Sequence, residues 1–267
     1  MTLARLHHRI EGSGRRVLIL HPVGLDLTFF DPVATILARD HRVLRVDLRG
    51  HGRSPTAIPG ISLDDYVDDV HRLIQEQDFA PTAVLGVSFG GMIAQILAVK
   101  HPADVDALVA CACPAAIPPD GRAAMEERAA AAERGGMAAV LDATLERWFT
   151  EPFRARGGAE PTRARLLSDD VAGWAAAWRA ISTLDIAPRL HEIRVPTLCV
   201  AGEHDRAAPP EVLAGIAERI PGARTAVMAG APHMLMIEQP EAFATLVRDF
   251  LEEAGSGSGT RGDAPGG

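Results

Sequence analysis

Ser88 stands in Gly86-Val87-Ser88-Phe89-Gly90, with a glycine two residues to either side. A serine so placed can attack an acyl carbon, provided that a base takes its proton and a third group holds that base. The apolar residues 83–87 read as a buried strand and the Ala-rich residues 92–99 as a helix, so Ser88 falls on a sharp strand-to-helix turn. A side chain at such a turn projects from the sheet at a helix N-terminus, where developing negative charge is favoured.

A base and an acid are expected after later strands. Thr197-Leu198-Cys199-Val200-Ala201 ends at Gly202-Glu203-His204-Asp205, and Thr225-Ala226-Val227-Met228 ends at Ala229-Gly230-Ala231-Pro232-His233. The order Ser88, Asp205, His233, with each residue after a strand, is that of a Ser-His-Asp triad on an open α/β sheet, whose strand C-termini gather at one edge. Glu203 and His204 are assigned to the wall of the loop. The oxyanion of a tetrahedral intermediate needs backbone N–H donors, one from Phe89 and a second from the loop His21-Pro22-Val23-Gly24, where Val23 fits best.

These residues need elements to hold them. Residues 3–10 alternate as a strand, Glu11-Gly12-Ser13-Gly14 turns, and residues 15–21 carry the buried run Val17-Leu18-Ile19-Leu20, which together read as a hairpin. A helix is expected over 29–39 with Thr28 as N-cap, a short strand over 42–46, and a helix from Ser62 to Gln77 on the spacing of Leu63, Val67, Val70, Leu73 and Ile74. Another strand follows over 105–112. Residues 114–188 then lose strand signals and become an Ala- and Arg-rich helical insertion holding Trp148, Trp174 and Trp178. Trp174 and Trp178 are expected to fill a small core of that insertion. Strand and helix alternate again to 254, and 255–267 reads as a disordered tail. The expectation is an α/β fold with a mostly parallel sheet covered on both faces: core 1–113, helical cap 114–188, core 189–254.

Bulk properties narrow the functional classes. The 267 residues are 47% hydrophobic, ample for a large core, and a net charge of −8 without a basic cluster argues against a nucleic-acid partner. No apolar stretch suits a signal peptide or a membrane span, and three cysteines cannot build a disulfide framework, so a cytoplasmic location is expected. Cys111 and Cys113, two apart in an apolar run, read as buried packing residues on one face; no metal motif is present, and the chemistry needs no cofactor.

The chain resembles the α/β-hydrolase superfamily over residues 3 to 254, and within it most resembles 3-oxoadipate enol-lactonases. The resemblance rests on Gly24-Leu25-Asp26-Leu27 with Phe30-Asp31-Pro32, Asp47-Leu48-Arg49-Gly50-His51-Gly52-Arg53-Ser54, Gly90-Gly91-Met92-Ile93, Arg147-Trp148-Phe149-Thr150, and Glu238-Gln239-Pro240. Two departures stand out: Pro22 replaces the first glycine of the common His-Gly-x-Gly loop, though not the donor assigned here, and the first strand of the fold is missing. The resemblance implies a small anionic lactone opened by water, with Trp148 lining the site and an arginine for the substrate carboxylate that Arg147, Arg154, Arg156, Arg163 and Arg165 leave open. Alternatives are a hydrolase of specialised metabolism acting on a bulkier ester or lactone, and a non-catalytic small-molecule receptor. Oligomeric state is not legible.

Overall fold

The computed structural model describes residues 4–56 and 59–256, so most of the expected tail lies outside the described residues. Strands β1 (His8–Glu11), β2 (Arg15–Leu20), β3 (His41–Val46), β4 (Thr82–Val87), β5 (Val105–Cys111), β6 (Thr197–Gly202) and β7 (Arg224–Met228) form one sheet in the order β1-β3-β2-β4-β5-β6-β7. All pairs are parallel except β1 with β3, which is antiparallel in the register His8↔Val46. This is the mostly parallel α/β sheet expected from the sequence.

The hairpin expected from residues 3–20 does not form, because β3 lies between β1 and β2. Val17, Leu18, Ile19 and Leu20 are all buried, so β2 belongs at the sheet's centre between parallel neighbours, β3 and β4. Polar, half-exposed β1 suits the edge.

Helices cover both faces. Asp26, rather than Thr28, caps the chain after β2: its carboxylate accepts from the Thr28 N–H at 2.9 Å and starts a 3-10 turn, Leu27–Phe30, that leads into α1 (Asp31–Leu37). In α2 (Leu63–Glu76), Ser62 and Asp65 form a reciprocal capping box, and the expected stripe Leu63, Val67, Val70, Leu73 and Ile74 is buried. Helix α3 (Phe89–Lys100) follows β4 directly and is buried almost all round, as a helix beneath other layers must be.

Residues 114–188 contain α4 (Pro119–Gly135), α5 (Ala138–Trp148), α6 (Glu151–Ala155), α7 (Glu160–Leu167) and α8 (Val171–Ser182). Their strand-free character follows from the sequence, but Trp174 and Trp178 do more than fill a private core. Their rings meet edge to face at 5.6 Å, while Trp174 also packs against Gly24 of the core and Trp178 lines a cavity shared with Ser88. Beyond β6 come α9 (Pro210–Ala217), α10 (Leu235–Glu238) and α11 (Pro240–Ser256). Gly255 and Ser256, expected in the tail, complete α11. Among the described residues, no helix is long and apolar enough to cross a membrane.

Candidate active site

Parallel strands deliver four loops to one edge of the sheet: His21 follows β2, Ser88 follows β4, Asp205 lies beyond β6 and His233 beyond β7. The backbone of Ser88 is held at φ 54°, a left-handed conformation that costs a non-glycine residue about 1–3 kcal/mol and persists only where its surroundings enforce it. Here Ser88 N–H donates to Cys111 O at 2.8 Å, and the neighbouring glycines allow close approach. A Cβ on Gly86 would strike the backbone of Gly90, and one on Gly90 would strike the carbonyl of Leu20.

The three residues expected to act together meet. His233 Nε2 lies 3.0 Å from Ser88 Oγ, and His233 Nδ1 lies 2.9 Å from Asp205 Oδ2. A carboxylate can only accept, so Nδ1–H donates to Asp205 and Nε2 is left to accept the Ser88 hydroxyl proton. The other oxygen of Asp205 accepts from the backbone N–H groups of Ala207 (2.7 Å) and Ala208 (2.9 Å). Burial alone would raise the Asp205 carboxyl; the facing His233 and these amides outweigh it and hold it below the usual carboxylate range. Asp205 therefore stays ionised and orients the imidazole. Glu203 does belong to the loop wall, where its carboxylate accepts from Gly230 N–H at 2.7 Å and ties the two late loops together.

The loop after β2 is set by His21. Its Nδ1–H donates to Pro22 O at 2.7 Å, and its Nε2 accepts from Leu48 N–H at 2.9 Å. Burial lowers the His21 pKa, which keeps the ring neutral and Nε2 able to accept. The N–H groups of Val23 and Phe89 have no acceptor among the described residues, and they lie in loops leaving the paired strands β2 and β4. Phe89 is also the first residue of α3, where an N–H has no intrahelical partner.

A cavity of about 530 Å³ opens on Ser88 and His233. Trp148 lines it, is 1% exposed, and has its ring centroid 6.4 Å from that of His233. Its carbonyl accepts from Met234 N–H at 3.1 Å, so the residue beside His233 is anchored to α5. Two of the motifs quoted above meet here: Thr150 donates through N–H and Oγ1 to the carboxylate of Glu238, at 2.7 and 2.9 Å.

Of the five arginines left open by sequence, only Arg147 lines the cavity. Arg163 pairs with Asp142 and Glu160, while Arg165 pairs with Asp26 and Asp169. Arg156 stacks on Phe153. Beside Arg147 the cavity is lined by exposed Arg219 and by half-buried Arg128, which sequence reasoning passed over because one arginine among several in an Ala-rich helix carries no distinguishing signal.

Cys111 and Cys113 are buried, as expected, but not as alternate residues of one strand: β5 ends at Cys111, and Ala112 turns the chain at φ 48°. On α2 and beyond α3, His71 and His101 stack at 3.7 Å, with His71 Nδ1 2.8 Å from Asp104 Oδ2. These three are the one group of potential metal-ligating side chains among the described residues, with ligand-type atoms within 4.8 Å of one another.

Comparison with known proteins agrees with this geometry. The chain is 28% identical over 239 residues to 3-oxoadipate enol-lactonase 1 of Acinetobacter baylyi, covering 88% of each chain. It is 30% identical over 248 residues to a pimeloyl-[acyl-carrier protein] methyl ester esterase of Neisseria meningitidis, covering 89% of this chain and 93% of the relative. The crystal structure of the enol-lactonase from Burkholderia xenovorans superposes with a TM-score of 0.88 at 32% identity, covering 93% of this chain and 97% of that one. Residues 17–246 match the alpha/beta hydrolase family, and the chain belongs to it.

Proposed function

We propose that the protein is a serine hydrolase that cleaves a carboxylic ester or lactone through an acyl-enzyme. The observation that carries this reading is the chain Ser88 Oγ, His233, Asp205, at 3.0 and 2.9 Å, on a backbone strained at the serine. Ser88 Oγ attacks the carbonyl carbon while His233 Nε2 takes its proton. The oxyanion is received by the N–H groups of Phe89 and Val23. The tetrahedral species collapses, the C–O bond breaks, and His233 returns the proton to the departing alkoxide, which in a lactone stays tethered to the acyl group. A water molecule, deprotonated by His233, then releases the acid and restores Ser88. Water is the only co-reactant these steps consume.

On substrate, the likeness to enol-lactonases and to a methyl ester esterase favours a small lactone or ester bearing a carboxylate. Trp148 serves as a wall of the acyl site, and residues 114–188 act as a cap that shapes it. One observation favours the second reading, a bulkier ester: a cavity of about 530 Å³ lies in the range of sites that enclose drug-sized ligands. Three buried thiols without a disulfide support a reducing, cytoplasmic setting.

The test is labelling with a fluorophosphonate followed by peptide mapping. The proposal expects one adduct, on Ser88, and strongly slowed labelling in His233→Ala protein. Folded protein that resists the reagent would favour a receptor and defeat the hydrolase reading.

A further inference from the structure

Among the described residues, three arginines line the cavity without a carboxylate partner, and of these Arg128 is the one withdrawn from solvent, Arg147 and Arg219 being exposed. Arg128, half-buried on α4, lines the same cavity as Ser88, with its guanidinium carbon 4.5 Å from the centroid of the Trp178 ring. Two other arginines of the helical segment find carboxylates, Arg179 with Glu126 and Glu133 and Arg163 with Asp142, whereas Arg147 stays exposed at the cavity. Among the described residues no carboxylate or carbonyl accepts from Arg128. A second donor stands unanswered beside it, since Trp178 also lines the cavity and its Nε1–H is buried without an acceptor. A buried donor left without an acceptor is destabilising, the more so when it is charged.

The surroundings add to this imbalance. Burial, and then the charge of Arg147 on α5, pull the Arg128 pKa down to about 10, which still leaves it cationic at neutral pH. Glu211 of α9 and Arg219 just beyond it also line the cavity, both exposed and of opposite sign, so the rim there is close to neutral. The rest of the wall is largely apolar, with Ile117, Met125, Leu190, Val212 and Ile216. The polar positions of the cavity are thus the reacting pair Ser88 and His233, the mixed rim, and a cationic corner made by half-buried Arg128 with exposed Arg147.

We propose that Arg128, with the indole N–H of Trp178, binds a carboxylate that the substrate carries away from its scissile carbonyl. A planar guanidinium offers two parallel N–H groups to a planar carboxylate, and stacking on Trp178 fixes its plane. One guanidinium and one indole N–H match a singly charged, two-oxygen group better than a phosphate dianion. The substrate class is therefore a half-ester of a dicarboxylic acid, or a carboxylate-bearing lactone, with an apolar spacer between its two polar ends. This inference rests on the reading of Ser88 as nucleophile and deepens it by naming the residues that hold the carboxylate at the substrate's other end.

The test compares two 4-nitrophenyl esters of equal acyl length, one ending in a methyl group and one in a carboxylate. Wild-type protein should favour the carboxylate-ended ester. Arg128→Gln should lower the ratio of the two kcat/KM values by roughly 10- to 100-fold, chiefly through KM, as loss of a charged hydrogen bond predicts. Arg128→Lys should recover part of the ratio, and Arg163→Gln, outside the cavity, should leave it unchanged. An unaltered ratio in Arg128→Gln would overturn the proposal, since stacking on Trp178 alone would then account for the arginine. Calorimetric titration of Ser88→Ala protein, with and without Arg128→Gln, using the monomethyl ester of adipic acid separates this claim from the catalytic one. Binding that depends on Arg128 upholds the subsite even if neither ester is turned over, whereas turnover without such dependence upholds the hydrolase and removes the subsite.

Discussion

Arg165 Nε lies 2.8 Å from Asp26 Oδ2, joining α7 to the loop that carries Val23. The same guanidinium reaches Asp169 at 2.7 Å, just before α8, so one side chain binds the helical segment to the core at the edge of the proposed oxyanion site. Trp174 and Leu166 close on Gly24 in the same region. The loop after β2 and residues 114–188 therefore hold each other in place, and three of the outcomes expected below depend on that contact or on its continuation around the cavity.

Gly24 is at φ 75°, and a Cβ there would lie 2.5 Å from Trp174 Cζ3 and 2.6 Å from Leu166 Cδ2. Both side chains are 1% exposed and cannot swing into solvent. Gly24→Ala should cost about 2–4 kcal/mol of stability through backbone strain and overpacking. It should also lower kcat by displacing the neighbouring Val23 N–H. Chemical denaturation and steady-state kinetics on the one variant read both effects.

Asp169 gives a pH dependence with a definite sign. Burial raises its carboxyl, opposed by Arg165 and assisted by Asp26, to about 7. A folded pKa above the unfolded value means that its contribution to stability is complete below about pH 4 and is lost as pH rises through 7. Asp169→Asn cannot ionise, so its stability relative to wild type should improve by about 1–3 kcal/mol between pH 4.5 and pH 8. Urea denaturation at the two pH values measures the difference; a difference independent of pH would show that Asp169 is ionised throughout.

Trp148 is buried between α5 and the His233 loop. Trp148→Ala should cost roughly 3–5 kcal/mol by leaving a cavity, while Trp148→Phe keeps an apolar wall and should cost less. If Trp148 also bounds the acyl site, Trp148→Phe should shift KM among esters of different acyl length more than it shifts the melting temperature.

Much of the site was legible because its residues follow strands. The apolar runs ending at Val87, Ala201 and Met228 are short and strongly patterned, and each leads into the loop of a proposed triad residue. The placement of β1 was not legible, since its partner β3 lies about 35 residues away, with β2 between them in sequence, and the alternation of β1 is equally compatible with a local hairpin. The cap at Asp26 was missed for a smaller reason: a 3-10 turn precedes α1, so the start of helical backbone comes before the start of helical periodicity. Arg128 and Trp178 were illegible because nothing in an Ala- and Arg-rich helix distinguishes an arginine with a carboxylate partner from one without. Only the packing of α4 on α8 sets Arg128 over an indole in the cavity, where no carboxylate among the described residues pairs with it.

The central claim, that Ser88 is the nucleophile, is tested most directly by the turnover of purified Ser88→Ala protein on activated esters and enol-lactones. The account predicts a fall in kcat of about 10⁴-fold or more, with only background hydrolysis assisted by the remaining site, and a melting temperature close to that of wild type. Turnover of the variant at the wild-type rate would contradict it.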